Sequence, residues 1–239
     1  MKQVLLRTCF KLKLKPLIFE RLFFMKIIFL KIFLFLLSLS SYSESEIEFS
    51  LNSDSIWRGL TQNNGNPTLG AEINFTLDNG FFSGAWIESC CSESSSYPNR
   101  EVGYLVGYQK DINKNLHISF NYVGTNYPDS KIDNYDELEV DFTFYDFGIS
   151  YFKGFDNFPD YYELSYSYEF LNNSINLTYG DFDSYQNLND SNGANYSIGI
   201  DTVLEDFTLT FFYYYFNANG SSDLDDDGLV FSISRKTSF

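Results

Sequence analysis

The chain has 239 residues, a formal charge of −16 and an aromatic content of 20%. The acidity argues against nucleic acid as a partner, because phosphate binding needs a basic surface, and against peripheral docking on anionic lipid. The length suits one domain, and 19 Tyr with 26 Phe suit a lipid-facing wall with interfacial aromatic girdles.

Residues 1–43 differ from the rest: they hold eight of the 16 Lys and Arg but one of the 32 acids. Met25-Lys26 begins a secretory signal, with an apolar stretch from Ile27 to Leu39 and a cleavage site at Ser41-Tyr42-Ser43. Met25 reads as the true initiator. The alternative, a retained anchor, needs an apolar run long enough for about 30 Å of hydrocarbon, and Lys31 interrupts this one. Residues 44–239 then form a single domain.

Period-two hydrophobicity predicts about twelve strands, within a range of about ten to fourteen. Their connectors alternate in length. The short ones are Asp78-Asn79-Gly80, Lys110 to Asn115, Tyr145-Asp146, Asn172-Asn173 and Leu204-Glu205-Asp206. The long, polar ones are Trp57 to Asn66, Cys90 to Asn99, Thr125 to Asp136, Gly154 to Asp160, Phe182 to Gly193 and Asn217 to Asp227. An outer-membrane barrel sorts its links this way, with tight periplasmic turns and longer outer loops. The predicted fold is therefore all-β: an antiparallel up-and-down transmembrane β-barrel.

Alternation is clearest in the middle of the chain. Ile73, Phe75 and Leu77 oppose Glu72, Asn74 and Thr76; Leu116, Ile118, Phe120 and Tyr122 oppose His117, Ser119, Asn121 and Val123. Leu138, Val140, Phe142 and Phe144 oppose Glu139, Asp141 and Thr143; Leu164, Tyr166 and Tyr168 oppose Glu163, Ser165, Ser167 and Glu169. Successive strand side chains point to opposite faces, so each segment has one apolar and one polar wall. The apolar parity flips across Tyr145-Asp146, which places a two-residue hairpin there. Asn79-Gly80 fits a type I′ turn. The last strand puts Phe231, Ile233 and the terminal Phe239 on one face, as the outer-membrane assembly machinery reads; Arg235 on that parity requires either snorkelling or a bulge.

With the apolar sets facing lipid, Glu48, Glu72, Glu101, His117, Glu139, Asp141, Glu163, Glu169 and Asp201 face inward. Few bases share their parity, so a continuous pore would prefer cations. The bland alternative is that these acids solvate a closed, narrow barrel.

The stretch Ser53-Asp54-Ser55-Ile56-Trp57-Arg58-Gly59-Leu60-Thr61-Gln62 resembles the Ser-Asp-aromatic-x-x-Arg-Gly opening of the bacterial family called Gcw_chp, or TorF-type porins. Pro67, Gly70, the run Asn79 to Trp86, Glu101, Gly107-Tyr108, Tyr127-Pro128, Tyr135, Glu137-Leu138, Tyr162-Glu163 and the closing Val230 to Ser234 with Phe239 are further similar positions. Ser55 departs from the commoner aromatic. The resemblance implies an outer-membrane barrel of poorly defined function and brings no catalytic residue. Physically, Arg58 closes the first strand at the outer rim, where its guanidinium can pair with carboxylates, and Gly59 permits a sharp bend.

Other chemistry is weak. Asp223, Asp225 and Asp227 open an EF-hand-like run, but its twelfth position is Ser234 and helices are lacking, which leaves a loose loop Ca²⁺ or Mg²⁺ site against a solvated acidic tip. His117 and Ser119 share one face, as in some outer-membrane lipid hydrolases, though on the wrong wall for lipid. Cys90-Cys91 form either a vicinal disulfide or free thiols and lack metal-ligand spacing. No cofactor follows. The expected partners are outer-membrane lipid, the barrel assembly machinery and small cations or solutes. The expected function is an outer-membrane, porin-like channel for passive diffusion; the alternative is a closed barrel with a structural, adhesive or receptor role through its outer loops.

Overall fold

Alternating side chains let each segment pair with its chain neighbour, and the sheet closes on itself. The computed structural model describes residues 43–89, 100–128, 134–155, 158–182, 193–218 and 225–239. The signal segment, Cys90-Cys91 and Asp223 lie outside these residues.

Among the described residues, fourteen strands run in chain order: β1 (Ser43–Asn52), β2 (Ile56–Trp57), β3 (Leu60–Thr61), β4 (Thr68–Leu77), β5 (Phe81–Ser89), β6 (Arg100–Asn113), β7 (Leu116–Asn126), β8 (Tyr135–Phe144), β9 (Phe147–Gly154), β10 (Tyr161–Phe170), β11 (Asn173–Phe182), β12 (Gly193–Leu204), β13 (Phe207–Ala218) and β14 (Asp226–Ser238). Twelve of them close an antiparallel barrel in which each pairs with its neighbour and β1 pairs with β14. β2 and β3 form a separate two-stranded hairpin. Closure leaves no unpaired sheet edge, which a hydrocarbon environment demands.

The two walls have opposite chemistry. Outward rows carry Phe49, Leu51, Ile149, Leu164, Ile198, Phe211 and Leu229, each between 47% and 63% exposed. A soluble sandwich would bury such residues; apolar exposure this extensive marks a lipid-facing surface. Outward Tyr rings cluster toward the long-loop end, as in the contacts Tyr151–Tyr162, Tyr179–Tyr196 and Tyr196–Tyr215. Phe81–Tyr108, Phe144–Tyr145 and Phe147–Tyr166 gather toward the short-turn end. These are the two girdles of a membrane barrel.

The short turns differ in detail from expectation. Tyr145-Asp146 is a two-residue link, with Tyr145 at φ 54°. The link after β10 is Leu171-Asn172, one residue earlier than the sequence suggests, because Phe170 pairs with Asn173. Asp78-Asn79-Gly80 is a three-residue turn in which only Gly80 has positive φ, so it is not type I′: that turn needs positive φ at both central residues. Arg235 faces outward without a bulge in its ladder. It lies 5.6 Å over the Phe207 ring and 3.1 Å from Asp206, snorkelling to the short-turn rim.

Candidate functional site

Among the described residues, a cluster of buried side chains sits inside the long-loop end of the barrel: Tyr161, Phe182, Phe216 and Ala218, with Trp57, Leu60 and Phe152 packed on it. The wall residues of the cluster take inward positions at the long-loop ends of β9, β10, β11 and β13. Trp57 and Leu60 come from the β2–β3 hairpin, which folds into the mouth.

The hairpin is built by local rules. Trp57 pairs with Leu60 and Ile56 with Thr61. Arg58 and Gly59 are the two linking residues, at φ 50° and φ 82°, the left-handed pair a type I′ turn requires. A Cβ on Gly59 would collide with the Asn195 side chain, so glycine is needed for space as well as for φ. Asp54 stitches the base. Its carboxylate accepts from the Thr61 hydroxyl (2.6 Å), the Ser55 amide (2.8 Å) and the Gly65 amide (3.1 Å). The Thr61 amide donates to Asp226 of β14 at 3.0 Å, and the Ser53 amide to the Phe231 carbonyl at 2.8 Å. The opposite flank reaches β5, where the Ser55 hydroxyl lies 3.1 Å from Glu88.

At the tip, the Arg58 guanidinium crosses to the far wall. It donates two parallel bonds to Glu137 of β8, at 2.9 and 3.1 Å. Both side chains are buried, at 8% and 5% exposure. Aromatic rings surround the cation: its carbon is 4.3 Å from the centroids of Phe152 and Tyr161, 4.8 Å from Trp57 and 5.8 Å from Phe182. Bidentate pairing and cation–π contact are the two interactions a guanidinium makes best. Tyr161 is held by its own partners. Its hydroxyl lies 3.0 Å from Glu163 and 2.9 Å from Asn195, and its ring crosses Gly180, where a side chain would collide with the hydroxyl.

Residues 40–236 of the chain match the family described as "Bacterial protein of unknown function (Gcw_chp)". The chain belongs to the Gcw_chp family. Its barrel resembles that of the KdgM porin, with TM-score 0.56 and 9% identity over 82% of this chain and 99% of that one. The NanC porin is similar, with TM-score 0.53 and 10% identity over 81% of this chain and 100% of that one. At such identities the likeness establishes the fold, which is that of outer-membrane porin barrels. No curated protein matches the sequence.

In this Gcw_chp chain the ladders put Glu48, Glu72, Glu101, His117, Glu139, Asp141, Glu163, Glu169 and Asp201 on the inward parity. Glu101 accepts from the Trp86 indole at 2.7 Å, Glu139 from Asn121 at 2.8 Å and Asp141 from Ser119 at 2.7 Å. Asp201 accepts from Asn176 at 2.7 Å and Thr210 at 2.6 Å. Asp141, Ser150 and Glu163 lie in one cross-strand row. Glu169 sits exposed toward the short-turn end.

Sequence reasoning missed Glu137 and Glu88, which share the inward parity with Glu139 and Trp86. It also set Arg58 at the end of the first strand. β1 stops at Asn52, and Arg58 instead rides a separate hairpin inside the mouth. A partial signal was present: Ile56-Trp57 and Leu60-Thr61 are separated by two residues ending in glycine, which is hairpin spacing.

His117 and Ser119 each bond a different carboxylate. His117 Nδ1 lies 2.8 Å from Asp111, while the Ser119 hydroxyl donates to Asp141. Of the three loop aspartates, Asp225 accepts from the Ala218 amide at 2.9 Å and Asp227 from the outward Tyr213 at 3.2 Å, while Asp223 lies outside the described residues. Among the described residues, no three His, Cys, Asp or Glu side chains gather as a metal site.

Outside the membrane-spanning strands, Asp160 forms a second organised corner. Burial raises its carboxyl pKa, but hydrogen bonds from Lys153 and Tyr151, the Lys153 charge and the Gly154 amide outweigh that and hold it below the usual carboxylate range.

Proposed function

We propose that this chain is an outer-membrane, porin-like barrel that passes small solutes with a preference for cations. The observation that carries this reading is the charge of the inner wall. Among the described residues, inward carboxylates run from Glu48 to Asp201, while the inward bases are Arg58 and Lys236, each paired with a carboxylate. An acidic, low-dielectric tube concentrates cations and repels anions. The barrel fold supports an outer-membrane location and a conduit rather than catalysis.

The test is planar-bilayer conductance of the refolded protein, with reversal potential under a KCl gradient. A cation-selective current weakened by Glu139→Gln, Asp141→Asn and Glu163→Gln supports the reading. An anion-selective current overturns it.

A second reading is favoured by the packed mouth. The β2–β3 hairpin touches walls as far apart as β5, β8, β12 and β14, which suits a closed barrel acting through its outer loops. A verified folded barrel with no current, in wild type and in hairpin variants alike, moves the assignment there.

A further inference from the structure

The Arg58 guanidinium occupies a site that the wall itself builds. Glu137, Phe152, Tyr161 and Phe182 come from four successive strands, β8 to β11, and only Trp57 and the cation belong to the hairpin. The wall part is pre-organised without the hairpin: Tyr161 is fixed by Asn195 and Glu163, and Tyr135 stacks on Phe158 at 3.9 Å beside it. A planar carboxylate fork with rings beneath it is the general recipe for a guanidinium receptor.

We propose that this corner is a binding site for solutes bearing a monosubstituted guanidinium, and that Arg58 fills it as a tethered stand-in until such a solute displaces it. The proposal deepens the channel reading and rests on it for its physiological role. The tether sets the competition. A short covalent link gives an effective concentration in the millimolar range, so a free guanidinium of millimolar affinity is able to compete. Below the cage, Glu163 and Asp141 continue in one row, so a displaced cation meets further carboxylates down the inner wall.

Ethylguanidinium is the probe, and Trp57 the reporter. The chain has two tryptophans, so a Trp86→Phe background isolates Trp57. In that background, Arg58→Ala protein with verified barrel mobility should show a saturable emission change at millimolar ethylguanidinium. Ethylammonium, which lacks the fork, should bind about tenfold more weakly, and urea, which lacks the charge, should not bind. Adding Glu137→Gln should weaken ethylguanidinium by about tenfold or more, and restoring Arg58 should likewise weaken it by about tenfold or more. If Arg58→Ala does not fold, Arg58→Lys keeps a cation without the fork, and ethylguanidinium should displace it more readily than it displaces Arg58.

A folded variant with no saturable response, or one that responds equally to all three probes, overturns the receptor. Bilayer conductance separates the two ideas. Binding without any current leaves the receptor standing and removes the channel, while current without binding does the reverse.

Discussion

Arg58→Ala offers the sharpest test of how the mouth is held. The substitution leaves Glu137 with its side chain 5% exposed and its two donors gone. Breaking a buried pair by removing one partner costs about 3–5 kcal/mol. Loss of the contacts at 4.3 Å to Phe152 and Tyr161 adds about 0.5–2 kcal/mol each. Glu137→Gln is milder, because its amide oxygen still accepts and Glu163 still faces the cation, so about 1.5–3 kcal/mol is expected. The double variant buries no unpaired charge. It should therefore cost less than the sum of the singles, with a coupling of about 2 kcal/mol or more.

All of this acts on docking of the hairpin, not on the twelve-strand ladder, so heat-modifiable gel mobility should stay native. The assay is amide hydrogen exchange at Thr61, Gln62 and Gly65, whose amides are bonded to Asp226, the Ser55 carbonyl and Asp54. A loss of 3 kcal/mol corresponds to about two decades in exchange rate. Acceleration below tenfold in Arg58→Ala, or strict additivity in the double variant, would refute the argument that the buried pair holds the hairpin.

Gly59→Ala meets both a φ of 82° and the Asn195 Cβ. It should undock the hairpin by at least about 1–2 kcal/mol, read by the same amides, and unchanged protection would contradict the close packing. Leu164→Arg on the outward face of β10 should destabilise folding into lipid by about 2–4 kcal/mol, whereas Ser165→Arg on the inward face should cost far less; equal costs in a vesicle-folding titration would mean the walls are assigned the wrong way round. Asp160 gives a pH dependence. Its folded carboxyl titrates below its unfolded value, so its contribution is present above the unfolded pKa and lost as pH falls through the folded one. The protection factor of the Gly154 amide, taken against the intrinsic exchange rate at each pH, should fall on acidification in wild type and stay level in Asp160→Asn.

Much of the architecture was legible because strand facing follows from a two-residue period that needs no tertiary information. Glu139 and Leu138 are assigned to opposite walls by parity alone, and the flip across Tyr145-Asp146 marks a turn whatever the barrel around it does. Turn geometry was less legible. Asn79-Gly80 satisfies type I′ composition, yet Asp78 joins the loop and only Gly80 adopts positive φ, because composition permits several backbone solutions and strand register selects one.

What the sequence by itself determined is a closed sheet of about twelve strands with an apolar outside and an acidic inside, since period and connector length leave little else for these segments to do. Only the tertiary structure decided what the Ser53 to Gln62 stretch is for. β2 and β3 are two residues each, too short to be stable as an isolated hairpin. Their placement comes from partners distant in the chain, with Glu137 79 residues from Arg58 and Asp226 165 from Thr61. Closing the barrel gathers those partners around one point, and a cation that reads locally as a rim residue becomes the occupant of a buried site.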